Sequence, residues 1–142
     1  MKRLGNCILS GLIKAISLLP FGVLYIIADA AYFVMYRIVR YRRRMVRKNL
    51  QNSFPEMSDT ERKIVEKQFY RNFADYIFET IKYKTISYEQ LSRRIVFENM
   101  ALIDRHFADG KSIVCYFSHS GNWEWVTAMG ERYKGNDSVQ LG

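Results

Sequence analysis

Residues 112–124 read SIVCYFSHSGNWE, and this stretch decides the fold predicted for the chain. Ser112–Phe117 is an apolar run of strand length, and Gly110 lies just before it. A helical pattern over Met100–Phe107 precedes the run, with Gly110 placed to stop it, and a second helical pattern begins at Trp123. Helix, glycine, apolar strand, turn and helix is an order of elements typical of an α/β domain. We therefore predict an α/β fold.

Two further segments extend this prediction. Ile95–Phe97 is typical of a brief strand, and Ser138–Leu141 of the start of another. A sheet that stops at its second convincing strand is incomplete. We therefore expect residues 41–142 to be the incomplete front half of an α/β domain, in a truncated chain.

The same stretch brings a histidine and a carboxylate within five positions. On one continuous helix, residues five apart point about 140° away from each other, so His119 and Glu124 would not meet. They can meet if His119 ends the strand, the chain turns through Ser120-Gly121, and Asn122 caps a helix that starts at Trp123. Catalytic groups of α/β sheets gather at the carboxyl ends of strands. The spacing therefore predicts a contact between imidazole and carboxylate.

This pair suits general base catalysis. Neutral His119 would take a proton from an alcohol, while Glu124 holds the other ring N–H and stabilises the imidazolium. No serine or cysteine lies near it in a recognised nucleophile elbow, so the activated hydroxyl belongs to an acceptor substrate. A structural role stays open, because Glu124 in a first helical turn is favourable for dipole reasons alone and the bare spacing arises by chance.

The two cysteines give no sign of a metal site. Cys7 and Cys115 belong to no CxxC pair or Cys/His cluster. We interpret both as inert buried thiols, and we expect no metal.

The N-terminal segment is predicted to associate with a membrane. Residues 7–39 are strongly apolar, but Lys14, Pro20 and Asp29 interrupt them. Either one imperfect span or a bent helical pair in the interface fits this pattern, so we assign residues 1–40 as a helical anchor. A cleaved signal peptide is a rival interpretation, but here the apolar run continues into basic residues, as in a retained anchor.

A basic segment follows the anchor, in a chain whose formal net charge is +8. Its members are Arg37, Arg40, Arg42, Arg43, Arg44, Arg47 and Lys48. Basic residues beside an apolar helix indicate the cytoplasmic side and attract anionic headgroups, at about 1 kcal/mol each. We therefore expect substrate or membrane binding at Arg42, Arg43, Arg44, Arg47 and Lys48. A merely solvated helical face is the alternative; the neighbouring apolar segment argues against nucleic acid.

Two capping boxes predict helices after the basic segment. Ser58 and Glu61 open a helix that should run to about Lys84. Apolar residues recur at every fourth position on it, which predicts a broad packed face: Val65, Phe69, Phe73, Ile77 and Ile81. Ser87 opens a short helix that should end near Arg94.

Ser118–Glu124 resembles the motif block of the bacterial lipid A biosynthesis (late, or secondary) acyltransferases. These are similar to the wider glycerolipid and lysophospholipid acyltransferases, which share an H-x-x-x-x-D/E motif. Arg42–Leu50 resembles the family's basic segment, and Phe54–Ser58 resembles its F-P-E stretch. The resemblance covers essentially the whole chain.

The resemblance implies an enzyme at the cytoplasmic face of the bacterial inner membrane. It would move a fatty acyl chain from an acyl carrier protein, or a coenzyme A thioester, to a hydroxyl of a lipid A precursor, with no other cofactor. His119 would be the general base and Glu124 its partner, with Gly121, Asn122 and Trp123 in substrate binding. The family's full domain is longer, so this N-terminal part is expected to be inactive alone.

Two alternatives stay open. The acceptor could be a lysophospholipid or a glycolipid other than lipid A. The chain could instead be a non-catalytic fragment that binds anionic membranes through its N-terminus and arginines.

Overall fold

The computed structural model describes residues 2–116, 118, 121–127 and 129–130, and it divides the chain into two compact units. The first unit extends to Thr85, and the second begins at Ile86. The sequence predicted a boundary at residue 40 between a membrane anchor and an enzyme domain. That boundary separates two functions rather than two packed units, and it stays a prediction.

The first unit is built from four α-helices and one π-helical segment. Their bounds are α1, Lys2–Leu18; α2, Phe21–Phe33; the π segment, Val34–Val39; α3, Arg43–Ser53; and α4, Asp59–Tyr83. The break between α1 and α2 falls at Pro20. Proline has no backbone N–H to donate, so it cannot continue the hydrogen bonding of α1. The interruption predicted at this proline is confirmed.

The α4 helix runs antiparallel along α2 and the π segment. Lys82, near the end of α4, donates from Nζ to the carbonyl oxygens of Ser17 and Leu19 at 3.0 and 2.9 Å. Midway along α4, the ring centroids of Tyr70 and Tyr36 lie 5.4 Å apart. The second half of α4, from Tyr70 to Lys82, therefore lies along α2 and the π segment.

Small and aromatic side chains form the core between these helices. Leu24 and Ala28 are buried on α2, and Tyr70 and Ala74 are buried on α4. Alanines at such positions let two backbones approach closely, and burial of the larger side chains contributes about 1.5–3 kcal/mol each.

The α4 helix begins as predicted but buries a different face. Ser58 Oγ accepts from the N–H of Glu61 at 3.3 Å, and Glu61 Oε2 accepts from the N–H of Ser58 at 2.8 Å, so the capping box is confirmed. The buried stripe contains Glu66, followed by Tyr70 and Ala74, whereas Phe69 is 45% exposed. The apolar pattern identified the helix, but it missed the charged residue on the packed face.

The second unit contains two short α-helices and a 3₁₀ helix. These are α5, Tyr88–Ser92; α6, Met100–Ala108; and the 3₁₀ helix Trp123–Thr127. Ser87 Oγ caps α5 by accepting from the N–H of Gln90 at 3.2 Å. Gly110, at φ +68°, ends α6, as its place in the sequence predicted.

The predicted α/β fold is wrong. The residues that the structure describes form helices and no strand, and their architecture is all-helical. The predicted strand over Ser112–Phe117 is irregular where it is described, with Val114 and Tyr116 75% and 93% exposed. The brief strand at Ile95–Phe97 is also irregular, and Ser138–Leu141 lies outside the described residues.

The physical reason is that a strand needs a partner. An apolar run of strand length supplies side chains for a sheet, but its N–H and C=O groups must pair with another strand. Within the described ranges, no neighbouring strand offers that pairing to either run. Local composition predicted strands without showing whether partner strands exist, and the fold class predicted from it was wrong.

Candidate functional site

The motif that carries the predicted chemistry lies in the second unit. Its base, His119, lies outside the described residues, as does Ser120. Ser118 is exposed and Glu124 is half-buried. The contact between His119 and Glu124 therefore stays a prediction.

The described part of the motif forms a turn followed by a helix. Gly121 has φ +65°, a backbone conformation that residues other than glycine rarely adopt. The N–H of Trp125 donates to the carbonyl oxygen of Asn122 at 3.2 Å, and the helix begins at Trp123, as predicted. It is a 3₁₀ helix, and the residues described before it form no strand. Glu124 thus occupies a first helical turn, but not in the strand-end setting that was expected.

The two tryptophans of the motif differ in exposure. Trp125 is 8% exposed and belongs to the buried side chains of the second unit. Trp123 is 37% exposed, so part of its ring faces outward beside Gly121. The expected roles of Gly121, Asn122 and Trp123 in substrate binding stay predictions.

Most of the predicted basic residues line one groove in the first unit. This cationic groove has a volume of about 630 Å³, and its lining is Arg40, Arg43, Arg44, Arg47, Lys48 and Gln51. Arg42 is not part of the lining; it precedes α3 and is exposed. The structure therefore brings together four of the five residues that the sequence singled out.

A buried carboxylate fixes two arginines of this groove. Glu66 is 2% exposed, and its Oε1 and Oε2 accept from Nε of Arg43 at 2.6 Å and from Nε of Arg47 at 2.8 Å. Arg43 also lies over the ring of Tyr36, 4.3 Å from its centroid, and donates to its hydroxyl oxygen at 3.1 Å. The two guanidinium groups are thus held on one side by α4.

These contacts change the ionisation of the cluster. Burial by itself would raise the pKa of Glu66, but the hydrogen bonds from Arg47 and Arg43 outweigh it, so this pKa lies below its ordinary value. The hydrogen bond with Glu66 raises the pKa of Arg43. Both shifts favour the charged forms of Glu66 and Arg43, and two arginines share this one carboxylate.

The remaining cations of the groove have no such partner. Within the described part of the chain, neither Arg44 nor Lys48 forms an ion pair, and both are exposed. With Arg43 and Arg47 fixed by Glu66, the groove keeps a surplus of positive charge. Its chemistry suits an anionic group such as a phosphate or a carboxylate.

A strained corner sets the direction of the groove. Arg40 and Arg42 have φ of +55° and +48°, which costs about 1–2 kcal/mol for each residue with a β-carbon. Tyr41 lies between them, and the buried hydroxyl of Tyr70 donates to its carbonyl oxygen. This turn joins the π segment to α3 and places Arg43 within reach of both Tyr36 and Glu66.

The model of one protein family, the bacterial lipid A biosynthesis acyltransferases, matches residues 2–139. The chain belongs to this family. No curated protein and no solved structure gives a significant match. The resemblance inferred from the motif block and the basic segment is confirmed.

Membership of the lipid A biosynthesis acyltransferases indicates an acyltransferase in lipid A biosynthesis. The match includes the motif at residues 118–124 and the cationic groove, and it extends over nearly all of the chain. Both candidate sites therefore belong to the sequence that defines this lipid A acyltransferase family.

Among the described residues, one helical stretch, Phe21–Val39, is long and apolar enough to cross a membrane. Apolar side chains are also exposed on α1, among them Ile8 at 66% and Leu12 at 56%. These features suggest a membrane association. Cys7 and Cys115 are both exposed, so the prediction that they are buried is wrong.

Sequence reasoning missed three residues of the groove region. Arg40 was counted only within the basic segment, and Gln51 and Glu66 were not considered. A signal for Glu66 was present, since it precedes Tyr70 and Ala74 at helical spacing and therefore shares their buried face. A carboxylate in such a row requires a buried cation, and the basic segment supplies it.

Proposed function

We propose that the protein transfers a fatty acyl chain from an acyl carrier protein thioester to a hydroxyl of a lipid A precursor. The family match over residues 2–139 is the observation that carries this proposal. The reaction takes place at the cytoplasmic face of the bacterial inner membrane, where the basic segment follows the apolar N-terminal helices.

The chemistry is assigned to the motif at residues 118–124. His119 takes the proton of the acceptor hydroxyl while the hydroxyl oxygen attacks the thioester carbonyl. Glu124 stabilises the imidazolium that forms on His119. The tetrahedral intermediate then expels the carrier thiolate, which takes the proton back from His119. The acyl chain passes directly to the acceptor, with the thioester as the only co-substrate and no metal.

The cationic groove is assigned to the anionic acceptor or to the anionic membrane surface. Arg44 and Lys48 are exposed and supply charge, while Arg43 and Arg47 are fixed by Glu66. Fixed guanidinium groups bind phosphate oxygens with less loss of side-chain entropy than free ones. Arg42 adds charge at the membrane rather than in the groove.

The assay uses the full natural chain with an acyl carrier protein thioester and a lipid A precursor. We expect acyl transfer to fall at least about 100-fold in His119→Ala, which removes the base, and to fall also in Glu124→Gln. The matched control is Glu98→Gln, which changes an exposed carboxylate outside the motif and should retain activity. Near-normal transfer in both motif variants would overturn the mechanism.

Other acceptors and donors are separate arms of the same assay. Acylation of a lysophospholipid or another glycolipid in place of the lipid A precursor would support the first alternative. Activity only with a coenzyme A thioester would replace the proposed donor. Binding to anionic vesicles without turnover on any acceptor would favour the non-catalytic, membrane-binding alternative.

A further inference from the structure

The helix that could cross a membrane is accompanied along its length by a charged helix. Phe21, at the start of α2, lies 5.7 Å from Nζ of Lys82, and Tyr25 donates to Glu79 at 2.8 Å. Farther along, the guanidinium of Arg71 lies 5.3 Å from the ring centroid of Tyr32. At each of these levels the neighbour of α2 is an ionisable residue of α4.

This packing is incompatible with a spanning α2. To cross the bilayer, the stretch Phe21–Val39 would either take α4 into the hydrocarbon or lose the core that it forms with α4. The first choice buries Lys67 and Arg71, both exposed on α4, in a medium that strongly disfavours ions. The second exposes the packed side chains of Tyr70 and Ala74.

The side of α2 that faces away from α4 is exposed and mainly apolar, with the exposed Asp29 at its edge. Ile26 and Phe33 are 71% and 56% exposed, and Ala30 lies between them on the same side of the helix. Leu24 and Ala28, on the opposite side, are at most 1% exposed. The α2 helix therefore presents a lipid-compatible stripe while its other side forms the protein core.

The α1 helix has the same two-sided character. Ile8, Leu9 and Leu12 are exposed by 56–66% and lie close together on one side. Ser10 and Lys14 lie at helical spacing on the other side, one turn apart. An apolar face opposite a polar face is the pattern of a helix that lies in a membrane interface.

We propose that α1 and the outer stripe of α2 rest on an anionic bilayer and do not cross it. This inference rests on the proposed membrane location and deepens it by assigning the topology. The partner is a bilayer because the apolar residues extend over two helices, and it is anionic because the basic segment follows α2 and its π continuation. The first unit is thus a monotopic membrane-binding unit, with α4 on the side away from lipid.

Nitroxide depth measurements on vesicles of phosphatidylglycerol and phosphatidylethanolamine test this topology. Single cysteines are introduced into the full natural chain, with its other cysteines replaced by serine, as Leu12→Cys, Ile26→Cys and Phe33→Cys. We expect all three labels to lie at a shared shallow depth of about 5–10 Å. The matched control, Lys67→Cys on α4, should stay in water.

A spanning helix gives a different result. The labels at Ile26 and Phe33 would then lie about 10 Å apart along the membrane normal, one on each side of the bilayer midplane, instead of at a shared shallow depth. That result overturns the monotopic topology without affecting the acyl-transfer assay. Absence of vesicle binding overturns the inference as well, whereas loss of acyl transfer with shallow labels overturns only the proposed enzyme function.

Discussion

At the scale of single residues, Glu66 explains the arrangement of the cationic groove. The sequence showed a run of arginines and predicted that they bind a ligand or a membrane. In the structure two of them are paired with a carboxylate that lies 23 and 19 positions away, in another helix. Local spacing cannot reveal a pair of that separation, so the sequence predicted the charge of the groove but not its rigidity.

Replacing Glu66 by glutamine should destabilise the first unit. Glu66→Gln keeps the shape of the side chain but leaves the mostly buried Arg43 and the half-exposed Arg47 without their shared anion. We expect the free energy of unfolding in urea to fall by about 2 kcal/mol. Glu56→Gln, which changes an exposed glutamate, is the control and should change this free energy by less than about 0.5 kcal/mol. Equal small effects in both variants would contradict the role given to Glu66.

The same residue should make stability depend on pH. The pKa of Glu66 is lower in the folded chain than its ordinary value of 4.5, so the unfolded chain binds more protons as the pH falls. The stabilisation is fully present above that ordinary value and is lost as the pH falls through the folded pKa. The unfolding free energy of wild type should therefore exceed that of Glu66→Gln at pH 7, and this difference should shrink as the pH is lowered. A difference that stays constant with pH would contradict this assignment.

At the scale of helices, local sequence signals predicted where helices begin and end better than they predicted which elements pack together. The capping box at Ser58, the break at Pro20 and the stop at Gly110 each depend on a few adjacent residues, and each is confirmed. The strand over Ser112–Phe117 depends on a distant partner, and that prediction failed. The packed face of α4 depends in the same way on what lies across from it.

The capping box offers a test at this scale. Ser58→Ala removes the oxygen that accepts from the N–H of Glu61, one of the unpaired donors at the start of α4. We expect the free energy of unfolding to fall by about 1 kcal/mol. Unfolding is measured by the helical circular dichroism signal. Ser10→Ala, an exposed change within α1, should be neutral. A neutral Ser58→Ala would show that α4 is held by packing alone.

At the scale of the whole molecule, the family was predictable from the sequence and the architecture was not. The motif at residues 118–124 and the basic segment are short and local, and together they identified the lipid A acyltransferases. The all-helical first unit depends on α4 lying along α2, which places the charged and apolar surfaces on different sides. No linear pattern contains that arrangement.

Charge in the groove should govern binding to anionic membranes. The double variant Arg44→Gln/Lys48→Gln removes two exposed cations that have no ion pair within the described residues. At about 1 kcal/mol for each charge, affinity for phosphatidylglycerol vesicles should fall about 30-fold. Lys67→Gln/Lys84→Gln removes the same charge from exposed positions near or on α4, and it should have a much smaller effect. Equal losses would show that net charge alone, rather than the groove, attracts the membrane.

The proposed function is acylation of a lipid A precursor with His119 as the base. Mass spectrometry of the precursor, after incubation with the full natural chain and an acyl carrier protein thioester, tests it most directly. We expect a product heavier by one acyl chain with wild type and with Glu98→Gln, and little of it with His119→Ala. An unchanged precursor with wild type, or an equally acylated one with His119→Ala, would contradict the proposed function.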